Sequence, residues 1–457
     1  MKSINKEYKE GDNFMIKKGI IITVVILMAA CVFSACARKA KTPSAVTSIE
    51  QKENKGSQQE LNSLTENTVQ NVCIDYQIES YKNVQKFGYM LFAQHINDKN
   101  PVISPVSAYL ALSMAGCGAN GATKEEFYNV LGNDMLPLSD DMMNRLPTTG
   151  DWMNLSISNS AWIDNKFVAD ATWLGTVKSL MDAEVFQDEL STEQTMDKIN
   201  RWINDKTNGL IDTMITQPLD IQTRLVLFNT VYFKGKWELP FESQNTRKED
   251  FYIQKGQGTA NQVEMMNLYL TELEYIANDC MEGVILPYQK NDINNDGTLA
   301  FIALKPTGEE TIRDIYSKLT DEVISDLLAK RQTEIVNLKL PKFEVTFDKK
   351  LNESLINIGL TECFEEQKAN FDQLGKTINN DTLYIDLVRQ KAKIIVDEEG
   401  TEAAAATEVL MMDRGAMLIS DPREVYFNEP FIYMIMDMQT EVPLFLGILD
   451  NPNTETK

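Results

Sequence analysis

Residues 398–407 can satisfy two different backbone geometries, and the choice between them limits every fold open to this chain. They read Glu398-Glu399-Gly400-Thr401-Glu402-Ala403-Ala404-Ala405-Ala406-Thr407. Taken alone this is the start of a helix, because Ala and Glu favour helix and Thr401 can cap it. Taken as a strand, Thr401, Ala403, Ala405, Thr407, Val409 and Met411 share one face, since strand side chains alternate. That face is small or apolar throughout. Glu402 and Glu408 fall on the other face with Ala404, Ala406 and Leu410. A segment exposed in one state and slotted into a sheet in another needs this pattern. Only the rest of the chain separates the Ala-rich helix or linker from the insertable strand.

With 457 residues the chain can bury a large core, and length alone allows two or three domains. Its hydrophobic content of 43% and charged content of 24% are those of a globular protein. A formal net charge of −23 argues against nucleic-acid binding through phosphates, which needs basic patches. Net charge does not specify fold, but it can steer basic partners toward the surface.

Residues 1–36 are expected to be a secretory signal. Met15-Ile16-Lys17-Lys18 is a short basic start, Gly19 to Phe33 an apolar run of signal length, and Ser34-Ala35-Cys36 follows. Met15 is a candidate initiator, because residues 1–14 are polar. A cysteine after two small residues resembles a bacterial lipobox, in which that cysteine becomes the lipidated amino terminus. Leu27-Met28-Ala29-Ala30-Cys31 is a second match. Cys36 is preferred, because the apolar run then lies wholly upstream of the cut. An uncleaved anchor is the alternative. Either way the folded part is expected outside the cytoplasm, secreted or tethered to the cell envelope. The membrane would be touched only through an amino-terminal lipid or anchor. Residues 37–71 carry Lys, Thr, Ser, Gln, Glu and Asn with little to bury, and read as a disordered polar linker.

Several motifs invite a chemical reading and fail it. Cys73, Cys117, Cys280 and Cys363 are far apart with no C-x-x-C pair, which rejects a zinc ribbon and a thioredoxin-like site. Free thiols are the expectation, with a disulfide left open. The single histidine, His95, follows Val84, Phe87 and Leu91 on the buried side of a helix and reads as a helix-end residue. Gly116-Cys117-Gly118-Ala119-Asn120-Gly121 matches G-x-G-x-x-G, but a dinucleotide fingerprint needs a strand before it. Here Ser104-Pro105 opens a helix before the glycines, and Thr123 to Glu126 reads as a capping box opening another after them. Asp292 to Gly297 resembles half a calcium loop, yet the twelfth position is Ala303, so a hairpin turn is expected. No nucleophile, base or metal set assembles. Neither catalysis, a metal nor a cofactor is expected.

From residue 72 onward helical and strand signals mix without a linker-like break. Residues 78–97, 104–116 and 123–131 read as helices, and Asn200 to Asn208 closes another before Gly209. Leu225 to Phe233, Val284 to Pro287, Leu299 to Leu304, Val336 to Leu340, Ile394 to Val396, Phe431 to Met436 and Leu444 to Ile448 read as strands. One large α+β domain over residues 72–453 is the expectation.

That domain resembles a serpin. Ile103-Ser104-Pro105-Val106-Ser107 is similar to the family's second helix, and Gly118 to Thr123 with Glu126 to its glycine-rich turn. Asn200-Arg201-Trp202 with Lys206 to Gly209, Asn229 to Trp237 with Pro240-Phe241, and Leu340-Pro341-Lys342-Phe343 follow in the family's order. So do Glu399 to Ala405, Asn428-Glu429-Pro430-Phe431 and Leu444 to Gly447.

The resemblance implies three β-sheets, about nine helices and an exposed reactive loop at about residues 398–424. It implies an inhibitor rather than an enzyme. A target protease attacks the loop and is trapped when the cleaved loop inserts as a strand in the central sheet. Glu398, Glu399, Gly400, Thr401, Glu402, Ala403, Ala404, Ala405 and Ala406 would form the hinge. Ser104, Ser107, Asn229, Trp237 and Gln390 would support the opening of the sheet; the family usually has His where Gln390 stands. The scissile bond, about fourteen residues past the hinge glycine, would be Arg414-Gly415. Counting back from Pro430 moves it toward Ile419, and Met411 and Met412 are further options. An arginine there suits a trypsin-like serine protease, with cysteine proteases a second class. The inhibitor would be monomeric. A non-inhibitory serpin, acting as a binding or structural module, is the alternative.

Overall fold

Most helices begin where the sequence supplies a cap. Ser104 is extended and its hydroxyl accepts the Ser107 amide at 3.3 Å, with Pro105 in the first turn. Asp170, Thr192, Thr311 and Thr320 accept first-turn amides in the same way. The computed structural model describes residues 79–253, 260–290, 299–379, 382–401 and 421–453. Among these are nine α-helices: α1 (Lys82–Ala93), α2 (Pro105–Gly116), α3 (Gly121–Leu131), α4 (Met135–Arg145), α5 (Ala171–Leu180), α6 (Glu193–Lys206), α7 (Ile312–Tyr316), α8 (Asp321–Ala329) and α9 (Asn352–Asn357).

The strands in chain order are β1 (Val102–Ile103), β2 (Thr148–Thr149), β3 (Met153–Asp164), β4 (Phe167–Ala169), β5 (Glu184–Asp188), β6 (Leu225–Lys236), β7 (Arg247–Tyr252), β8 (Ala260–Ala277), β9 (Met281–Pro287), β10 (Leu299–Pro306), β11 (Gln332–Pro341), β12 (Phe343–Lys350), β13 (Gly375–Thr377), β14 (Arg389–Val396), β15 (Gly400–Thr401), β16 (Arg423–Tyr426), β17 (Phe431–Asp437) and β18 (Val442–Leu449). They pair into three sheets. The central sheet runs β12-β14-β15-β6-β3-β2, with β5 also on β3. A nine-stranded sheet runs β1-β18-β17-β10-β9-β8-β11-β16, with β7 on β8, and β4 pairs β13. This is the expected α+β architecture. Residues Asn67–Lys457 make one compact unit.

The central sheet is covered on both faces. Its inner face joins the main core through Val231, Phe233, Ala392, Ile394 and Val396. Its outer face packs Trp162 and Phe228 against Ile199, Trp202 and Ile203 of α6. The alternation along β14, buried at every second residue, is what a strand with one core face requires.

Some expectations need correction. The first long helix is shorter than residues 78–97: α1 ends at Ala93, and His95 lies in the turn beyond it. His95 is buried, with Nδ1 3.1 Å from Asp98 Oδ2 and Nε2 3.0 Å from Ser354 Oγ, so it ties the end of α1 to α9. The capping box at Thr123 does not form, because α3 already starts at Gly121. Thr123 Oγ1 instead accepts the Asn370 amide, and Glu126 Oε2 accepts the amides of Thr361 and Glu362 at 2.7 and 2.8 Å. Glu126 therefore caps a distant short 3-10 turn, Glu362–Phe364, rather than its own helix. The glycines before it do join two helices. Gly121 has φ +55°, and a Cβ on Gly118 would lie 2.5 Å from Leu374 Cβ. The Asp292 to Gly297 turn lies outside the described residues. Cys117, Cys280 and Cys363 are free thiols, and burial pushes Cys117 up to about 12.

Candidate functional site: the opening of the central sheet

The site is built where β14 turns back on itself. Residues 397–400 make a tight turn in which Asp397 Oδ1 accepts the amides of Glu399 (2.9 Å) and Gly400 (3.3 Å). This is the local bonding by which Asp favours turns. The Asp397 amide donates to Gly400 O at 3.0 Å, and Val396 pairs with Thr401. Gly400 and Thr401 thus form a two-residue strand wedged between β14 and β6, with Gly400 opposite Lys236 and Thr401 opposite Gly235. The fit admits no side chain at 400, since a Cβ there would lie 1.9 Å from Gly235 O.

Three backbone carbonyls of the turn are held by one neighbouring stretch. Trp237 donates its amide to Glu399 O (2.8 Å) and its indole Nε1 to Asp397 O (2.9 Å), and the Phe241 amide donates to Glu398 O (2.9 Å). Trp237 is buried and stacks on Tyr288, with centroids 4.8 Å apart and planes at 14°. The Tyr288 hydroxyl meets Thr401 Oγ1 at 2.6 Å, so the first residue facing the core is met by a polar partner. Glu398 accepts from Lys342 Nζ at 2.6 Å and from Thr246 Oγ1 at 2.8 Å. Burial pushes the Glu398 carboxyl up, but those two donors outweigh it and hold it below its ordinary range. Burial raises Asp397, against the two turn amides.

A second polar group lies lower in the sheet. Gln390 on β14 accepts from the Ser104 amide at 3.0 Å and donates to Ser104 O at 2.8 Å. Ser107 Oγ donates to Asn229 O on β6 at 3.5 Å, and Asn229 Nδ2 donates to Asn159 Oδ1 on β3 at 2.7 Å. The start of α2 therefore touches strands on both sides of the β15 position. Because Gln390 both donates and accepts without titrating, this contact is insensitive to pH in itself.

Ser104, Ser107, Asn229 and Gln390 fall together in one group, and Trp237 with Glu398 to Thr401 in another. Glu402, Ala403, Ala404, Ala405, Ala406, Arg414, Gly415 and Cys36 lie outside the described residues. Sequence reasoning missed Tyr288, Asp397, Lys342, Thr246 and Asn159. Asn159 was within reach: Met153, Leu155 and Ile157 alternate with Asn154, Ser156 and Ser158, a strand signature.

The comparisons agree with this geometry. The family described as serpin (serine protease inhibitor) matches residues 82–452. Iripin-1 of Ixodes ricinus is 31% identical over 361 residues, 77% of this chain and 88% of that protein. The native-state structure of the thermophilic serpin tengpin superposes with a TM-score of 0.73 at 31% identity, covering 82% of this chain and 94% of that one. Its latent-state structure gives 0.67 at 31% identity, covering 80% and 96%. With a capped second helix, a two-residue Gly-Thr strand wedged into the central sheet and a family match across nearly the entire described region, this chain belongs to the serpin family.

Proposed function

We propose that this serpin inhibits serine proteases by a suicide mechanism. The protease cleaves the loop after the hinge, and residues from 402 onward then continue the strand that Gly400 and Thr401 begin. One observation carries the reading. Among the described residues β14 and β6 are joined only through the two residues of β15, which already pair with both strands as the first residues of a further strand would. Each inserted residue would gain ladder hydrogen bonds and bury alternate side chains. On the face continued from Thr401, Ala403 and Ala405 are small enough to enter without overpacking.

The target is a trypsin-like protease that cuts the loop at Arg414-Gly415, with cysteine proteases the second class. The molecule acts as a monomer, outside the cytoplasm, tethered through Cys36 and the spacer of residues 37–71. Among the described residues no helix is long and apolar enough to cross a membrane, so a tether would rest on the amino-terminal segment.

The test is incubation with trypsin. An SDS-stable complex and a released fragment beginning at Gly415 are expected. A fragment beginning elsewhere moves the bond, and clean cleavage without a complex replaces this reading with the non-inhibitory one. Thr401→Arg buries a charge where Tyr288 now meets a hydroxyl, and should turn inhibitor into substrate. Undiminished inhibition by that variant would refute insertion.

A further inference from the structure

The two strands flanking the β15 position present cations on their outer face. On β6 the core-facing residues include Val231 and Phe233, so Lys234 and Lys236 point outward; on β14 the core takes Ala392 and Ile394, so Arg389, Lys391 and Lys393 point outward. Neither β6 nor β14 contains a carboxylate. In a chain of net charge −23, these two strands carry five cations and no carboxylate of their own. Four of the five are engaged. Lys236 lies over the Trp152 ring, Lys391 donates to Thr213 O, Lys393 pairs with Glu344, and Arg389 forks onto Asp348. Lys234 is half-buried and has no ion-pair partner among the described residues.

The register set by Gly400 and Thr401 says what reaches it. Extended by one residue, that register would put Glu402 opposite Lys234 on β6; extended to 408, it would put Glu408 opposite Arg389 on β14. Both glutamates belong to the outward face of the inserting segment, and the two positions between them on that face are alanines. We propose that Lys234 is a docking cation for Glu402, so that the gap selects an acidic strand and fixes its register by charge. Arg389, already neutralised by Asp348, gives Glu408 a weaker hold. The occupant is this chain's own segment 402–408, and the inference rests on the inhibitory reading above. A one-residue slip would turn Glu402 toward the core, so the pair favours the productive register.

The test uses the full intact chain and a synthetic peptide of residues 401–411, with annealing followed by native gel and by melting temperature. The peptide should anneal and raise the melting temperature. Lys234→Glu should slow annealing by about threefold, the range of a cross-strand charge pair, and a Glu402→Lys peptide should restore it. Annealing to Lys234→Gln should lose part of its salt dependence. Equal annealing to all three proteins, or no rescue by the swapped peptide, overturns the assignment. If these fail while trypsin still forms an SDS-stable complex, only the docking pair is lost. If the unmodified peptide never anneals and no complex forms, the inhibitory reading falls too. Larger species formed by the intact chain alone would give the gap to a second copy's segment and overturn the intramolecular assignment.

Discussion

Gly400 is the position with least room to change. Its missing Cβ faces the backbone of Gly235, which cannot rotate away as a side chain can. Gly400→Ala should therefore cost about 1–3 kcal/mol in denaturant unfolding, the usual range for overpacking. An unchanged midpoint would show that β15 is not held as described. The Tyr288–Thr401 contact makes a sharper prediction. Tyr288→Phe or Thr401→Val alone leaves a buried hydroxyl unpaired and should cost about 1–3 kcal/mol, while the double variant loses less than the sum. Strict additivity in that cycle would mean the hydroxyls do not interact. Residue type alone left the Glu-Gly-Thr run open between a helix start and a strand, and the structure makes Gly400-Thr401 a strand. The partner of Thr401, Tyr288, was not readable, because 113 residues separate them and no local pattern marks a phenol that will meet a threonine.

Contacts between elements bring in pH. His95 joins the end of α1 to Ser354 of α9, with Asp98 and Lys349 the charged groups facing it and Phe347 edge-on at 5.1 Å. Burial lowers its pKa from the ordinary 6.5, against the pull of Asp98. The folded state then binds its proton less readily than the unfolded state does. Stability from this residue is complete above 6.5 and declines as pH falls from there toward the lowered folded value. His95→Gln should flatten the melting temperature between pH 7 and 5 relative to the parent protein; an unaltered slope would place the acid sensitivity elsewhere. The helix beginning at Ser104 and the strands ending in apolar alternation were legible, because caps and periodicity are local. The capping box at Thr123 misled for the same reason: Glu126 found better donors at Thr361 and Glu362, which only the folded chain brings near.

Across the fold as a unit, the inhibitory reading requires that the intact protein sit above an alternative arrangement with one more strand in the central sheet. On that reading the two-residue β15 would be the start of that strand. Cleavage of the loop should raise the melting temperature well above that of the intact protein, as seen by calorimetry on the two forms. A cleaved form melting no higher would leave no driving force for dragging a protease away. The acidic surface adds a kinetic expectation: association with a basic protease should slow as salt rises, since long-range steering is screened over about 8–10 Å at physiological ionic strength.

Helix starts, strand alternation and the small residues after Gly400 were all written in near neighbours along the chain, where propensity and side-chain size act over a few residues. Which strands flank Thr401 and which hydroxyl meets it came from folding. Sheet hydrogen bonds join Lys236 to Gly400 and Val396 to Thr401 at once, and a register between segments so far apart in sequence is chosen by packing of the entire core.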